Sequence, residues 1–97
     1  MSRRVRIGRL RVPLVDNPSL HPRLHGVTYQ GGGQDRIELN PLLGRDKRGR
    51  ALLHEVIHYV AFSGGVRLRE RDVLRLETGL LSFLRNNPRL VRDICKP

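Results

Sequence analysis

The stretch Ala51-Leu52-Leu53-His54-Glu55-Val56-Ile57-His58-Tyr59-Val60-Ala61 constrains this chain most. It contains His-Glu-x-x-His. On a helix of about 3.6 residues per turn, His54 and His58 stand one above the other on one face. Two imidazoles so placed can hold a single Zn²⁺. Glu55 is rotated by about 100° from His54, which sets it beside the metal, where it can act on a water. Leu53, Val56, Ile57 and Val60 are the expected apolar stripe of the same helix. One buried face with polar residues on another side is what a site on the floor of a cleft requires. The alternative is an exposed helix that merely carries two histidines.

The 97 residues are expected to form one domain, 1–97. A chain this short buries a modest core and leaves no room for a separate specificity domain. No run approaches the length of a membrane span, so no membrane partner is expected. The start, Met1-Ser2-Arg3-Arg4, is basic, but no apolar signal core follows it. The single cysteine, Cys95, excludes an internal disulfide and is expected to be inert. Both points suit a cytoplasmic protein. The formal net charge is +10, with arginine supplying most of the 19 basic residues. Such a balance admits an anionic partner, nucleic acid included, or a solvated arginine-rich surface. With two Tyr, two Phe and no Trp, a stacking platform for single strands is poorly supplied.

Ahead of the histidine helix the chain reads as strands. Val5 and Ile7, then Leu10, Val12 and Leu14, alternate with other residues around Gly8-Arg9, as in a hairpin or a bent strand. Pro13 cannot donate to a ladder, which predicts an edge or a strand end there. Residues 16–19 are a turn signal, and His21 and His25 fall in an irregular loop around Pro22. Residues 26–30 and 36–39 read as a second hairpin across Gly31-Gly32-Gly33, with Ile37 and Leu39 inward. The glycines are not a phosphate loop, since no Gly-Lys-Ser/Thr follows. The basic residues 44–50 lead into the helix, with Asp46 as its expected N-cap.

After the stop at Ser63-Gly64-Gly65, Val73, Leu76, Leu80, Phe83 and Leu84 recur at helical spacing. They predict a helix over 69–85. Asn87 and Pro88 then open a short last helix, 88–94. The expected fold class is therefore α+β. A small N-terminal antiparallel sheet of three or four strands packs on the histidine helix and a second long helix, with a short helix last.

A catalytic zinc needs three protein ligands and one open position. Two helices joined by a short Gly-Gly turn run antiparallel, so the level facing His54 and His58 falls in the second or third turn of the second helix. Glu77 is there, eighteen residues beyond His58. It sits among Leu76, Leu80 and Leu81, where a carboxylate wants a partner, metal or arginine. Glu70, seven residues earlier on the same face, is the reserve candidate. Its place at a helix start is already favoured by the helix dipole.

His54-Glu55-x-x-His58 followed by Glu77 resembles the ligand pattern of the gluzincin metallopeptidases. The small size, the strands before the metal helix and the helix after it are similar to the minimal members of that clan. These include small phage-encoded peptidase-like proteins and the core of the ImmA/IrrE type. Residues 80–88 resemble the tail of such phage proteins, and the likeness spans roughly residues 26–90. It implies His54, His58 and Glu77 as zinc ligands, Glu55 as general base and proton shuttle, and a peptide or protein substrate. It also implies that one of the strands 36–39 and 26–30 is the edge on which an extended peptide lies. Larger members stabilise the oxyanion with a Tyr or His. No position here matches that motif; Tyr29 is preferred over Tyr59, which points about 100° away from His58.

Three readings follow. The first is a zinc-dependent peptidase. The second is a binding or phage structural protein that keeps zinc as a staple between two helices. The third is a module whose basic face binds nucleic acid.

Overall fold

In a computed structural model, which describes residues 3–97, the two hairpins and three helices lie close to their expected places. Met1 and Ser2 of the basic start lie outside the described residues. Strands β1 (Arg3–Ile7) and β2 (Leu10–Asp16) pair antiparallel with Ile7 opposite Leu10. The two-residue turn works because Gly8 adopts φ +60°, a region that side chains disfavour. Strands β3 (Gly26–Tyr29) and β4 (Arg36–Leu39) form the second hairpin. Asp35 fastens its glycine loop. One carboxylate oxygen accepts from the Gly31 N–H at 2.8 Å, and the other accepts from the Tyr59 hydroxyl at 2.6 Å.

The α+β class holds, but the sheet is mixed. Its order is β1-β2-β4-β3, and β2 pairs with β4 in parallel, Leu14 opposite Ile37 and Asp16 opposite Leu39. Each hairpin is antiparallel as expected; the join between them is not. The reason is burial. β4 carries Ile37 and Leu39, both 0 % exposed, and takes an interior position. The more open β3 is left at the edge. Asn17 secures the join, its N–H donating to the Leu39 carbonyl and its side-chain amide to Glu38. Pro13 is accordingly not on an edge strand. It lies one residue before the ladder to β4 begins, so its missing donor interrupts no bond there.

Helix α1 (Arg45–Ser63) packs on the sheet over a core of Val12, Ile37, Leu39, Ala51 and Tyr59, with Leu52 and Val56 against it. The buried row on α1 is Ala51, Glu55 and Tyr59, spaced four apart; Ile57 is also buried, whereas Val60 of the expected stripe is exposed. Tyr59 enters because Asp35 accepts its hydroxyl, and Ala51 is small enough to allow close approach. Gly44, not Asp46, is the N-cap. Asp46 instead takes hydrogen bonds from Arg50 at 3.1 Å and from Arg85 at 2.8 Å. These hold its carboxyl below the usual aspartate range.

Helix α2 (Glu70–Asn86) starts at Arg69, whose N–H donates to the Asp72 carboxylate at 3.0 Å. Helix α3 (Pro88–Cys95) follows at once. Asn87 makes no side-chain cap on α3; its amide donates back to the Phe83 carbonyl. Among the described residues no helix is long and apolar enough to cross a membrane.

Glu38 is the buried charge of the sheet. Desolvation pushes its pKa up, but hydrogen bonds from Arg36 at 2.7 Å and Asn17 at 2.8 Å, with the arginine charge, push it further down. The net value lies below that of an ordinary glutamate. Its stabilising contribution is therefore complete above about pH 4.3, the unfolded value, and is lost as pH falls through the folded one. Urea melts from pH 7 downward should show wild type losing more stability below that point than Glu38→Gln. Parallel profiles for the two proteins would remove Glu38 as the cause.

Candidate metal centre

The histidines meet as their spacing requires. His54 and His58 lie on successive turns of α1, their ring centroids 4.9 Å apart. Helix α2 runs back beside them, because Arg85 near its end reaches Asp46 at the start of α1 while Glu70 at its start reaches the histidines. The Glu70 carboxylate bridges the two rings: Oε1 lies 2.6 Å from His54 Nε2, and Oε2 lies 3.0 Å from His58 Nε2. Among the described residues, His54, His58 and Glu70 form a group whose ligand atoms all lie within 4.8 Å of one another.

Glu77 stands elsewhere. Its Oε1 lies 2.8 Å from the other nitrogen of His54, Nδ1, and it is outside that group. The structure thus brings Glu70, the reserve candidate, to both Nε2 atoms and Glu77 to the Nδ1 atom of His54. The cause is the connection between the helices. It is not a tight Gly-Gly turn but six non-helical residues, 64–69, so α2 begins opposite the histidines. Glu77, about 10 Å further along the axis, is carried past the Nε2 atoms to the back of His54.

The donor set suits a borderline metal such as zinc: two imidazole nitrogens and one carboxylate oxygen. His54 itself supplies the test of fit. It has a carboxylate at each ring nitrogen, yet a neutral imidazole carries one N–H. If Nδ1–H donates to Glu77, the Nε2 lone pair faces Glu70 and needs a cation between them, a proton or a metal ion. A carboxylate behind the ligating ring is the usual way such a ring is oriented. Ligand atoms around a tetrahedral zinc stand about 3.3 Å apart. Glu70 is exposed and can withdraw by that small amount.

Glu55 points from α1 toward β3. It is 7 % exposed, and its Oε1 accepts from the Thr28 hydroxyl at 2.8 Å. Among the described residues no arginine or lysine pairs with it. A buried carboxylate held by one neutral donor keeps lone pairs free for a proton. Two clefts open here. One, of about 560 Å³, is lined by Arg23, His25, Arg50, His54, Glu55 and Glu77, among others. The other, about 370 Å³, runs along β3 past Gly26, Thr28, Glu55, His58 and Glu70.

Neither tyrosine lines these clefts. Tyr29, the favoured oxyanion candidate, lies under the Arg36 guanidinium, 3.9 Å from its ring centroid. Tyr59 is buried, and its hydrogen bond to Asp35, with burial, raises its pKa. Thr28 is a cleft residue that sequence patterning does not single out, whereas His25 lies in the loop just before β3, as expected. The signal for Thr28 is its place within the short strand that begins at Gly26. Cys95 is a free, exposed thiol.

Gly26 lets β3 approach the helix. A Cβ there would meet Leu39 Cδ2 at 2.9 Å, the Glu38 carbonyl oxygen at 3.0 Å and Glu55 Cγ at 3.1 Å. Backbone cannot yield as a side chain can. Gly26→Ala is therefore expected to cost about 1–3 kcal/mol. A thermal melt should show a drop of several degrees; an unchanged melting temperature would mean that β3 shifts freely. The chain matches no protein-family model, no curated protein and no solved structure.

Proposed function

We propose that the chain is a zinc-dependent peptide-bond hydrolase of the gluzincin kind, with His54, His58 and Glu70 as its metal-holding residues. The observation that carries this is the meeting of both Nε2 atoms on one carboxylate, with buried Glu55 beside them in a cleft along an edge strand. Zinc bound there would supply a Lewis acid that polarises a carbonyl and lowers the pKa of a water.

The other parts belong to the chain. Glu77 holds the Nδ1 of His54 and so fixes the ring with Nε2 toward Glu70. Glu55 takes a proton from water and passes it to the leaving amine. Thr28 donates to Glu55 and keeps its carboxylate at the cleft wall. The peptide lies along β3, the edge strand beside the histidine helix; β4 is interior, between β2 and β3. An intracellular setting is part of the proposal and rests on a chain with one cysteine.

Metal analysis of the purified protein, with a peptide-library digest with and without chelator, tests the reading. About one zinc per chain and chelator-sensitive cleavage are the expected results. Absence of zinc after metal-replete purification would end the proposal. Zinc without cleavage, with chelator unfolding the domain, would favour a second reading: a metal cross-link between α1 and α2. That reading draws on the same bridge by Glu70.

A further inference from the structure

The geometry points to the outer face of the β1–β2 hairpin as a docking surface for the phosphate backbone of duplex DNA. Alternation divides the hairpin into two faces. Val5, Ile7 and Leu14 pack against the core, and Val12 is 1 % exposed within it. Arg4, Arg6 and Arg11 therefore share the opposite face, with Arg9 in the turn, and all four are exposed. Among the described residues none of them pairs with a carboxylate. No acidic residue occurs before Asp16.

Arg6 and Arg11 are direct cross-strand partners. Like charges in that position destabilise a ladder. The repulsion is relieved when an anion sits over the pair. Arginine also suits phosphate, because its planar fork can donate two parallel bonds.

The shape narrows the partner. Pairing to β4 begins only at Leu14, so residues 4–13 form a two-stranded ribbon. A ribbon of two strands about 4.8 Å apart fits a major groove about 12 Å wide. Beside its arginines the outer face of this ribbon carries only Pro13, opposite Arg4, and no large apolar side chain such as a bilayer surface would require. It carries no aromatic ring either, which unpaired bases would require. The basic outer face thus favours a duplex over both.

Anisotropy titration of short labelled duplex DNA against salt tests this. Four phosphates neutralised give a slope of log K against log salt of about −3.6, or about 150-fold weaker binding at 200 than at 50 mM. The triple variant Arg4→Gln, Arg6→Gln, Arg11→Gln should bring the slope to about −0.9. The control Arg67→Gln, Arg71→Gln, Arg92→Gln removes the same charge from the helical half and should leave it near −3.6. Equal losses in both variants would reduce the effect to net charge and overturn the proposal. So would absence of DNA binding in wild type at low salt, or arginine-dependent binding to phosphatidylserine vesicles in its place. Zinc content and melting temperature of the triple variant, expected unchanged, show that the fold and metal site are intact. The proposal therefore stands or falls apart from the hydrolase reading.

Discussion

Glu55→Gln is expected to keep about one zinc per chain and to lower peptide cleavage by about 10²–10⁴-fold. Glutamine is nearly isosteric with glutamate, and its carbonyl oxygen can still accept the Thr28 hydroxyl, now 2.8 Å from Oε1. The cleft wall keeps its shape while the proton acceptor is lost. Glu55 is not among the atoms that meet at Glu70, so metal content should not follow activity. Cleavage of a peptide library by the two proteins at matched zinc loading measures the effect. Equal rates would remove Glu55 from the chemistry and leave the metal as a structural cross-link.

His54→Ala is expected to abolish stoichiometric zinc binding, the largest effect of any single change at the centre. His54 pairs with both carboxylates, Glu70 at 2.6 Å and Glu77 at 2.8 Å. Its loss removes a proposed ligand and leaves Glu77, only 12 % exposed at its side chain, without its partner. Glu77→Gln should weaken zinc by about 10–100-fold, the usual cost of losing the group behind a ligating histidine. Glu70→Gln, which removes the charge of the proposed third ligand, should weaken it further. Competition against a chromophoric chelator ranks the three. If Glu77→Gln matched His54→Ala while Glu70→Gln bound zinc normally, Glu77 would be the ligand, as its spacing alone predicts.

The expected apolar stripe on α1 shows why periodicity falls short. Counting apolar residues selects Val60, which is exposed, and passes over Glu55 and Tyr59, which are buried. Each finds a hydrogen-bond partner on the β3–β4 hairpin, Thr28 for Glu55 and Asp35 for Tyr59, which offsets the cost of burying its polar atoms. Residue type at one position does not disclose a partner more than twenty residues away. The parallel join of β2 to β4 was hidden for a similar reason. Each hairpin is a local object, written in turn glycines and alternation. Which strands of two hairpins meet is decided by the whole core, and here β4, whose Ile37 and Leu39 are fully buried, takes the interior place beside β2.

What the sequence determined by itself is local. The His54–His58 spacing sets two imidazoles on one helix face, Gly8 and the Gly31-Gly32-Gly33 run set two hairpins, and residues 64 and 65 end α1. These follow from backbone geometry within a few residues. The choice between Glu70 and Glu77 did not. It depended on how far the chain from Gly64 to Arg69 travels before α2 begins. That segment stays out of helix, and the resulting offset brings Glu70 to the Nε2 atoms and Glu77 to the Nδ1 atom of His54. One register between two packed helices decides which carboxylate meets the two Nε2 atoms and which meets the Nδ1 atom of His54.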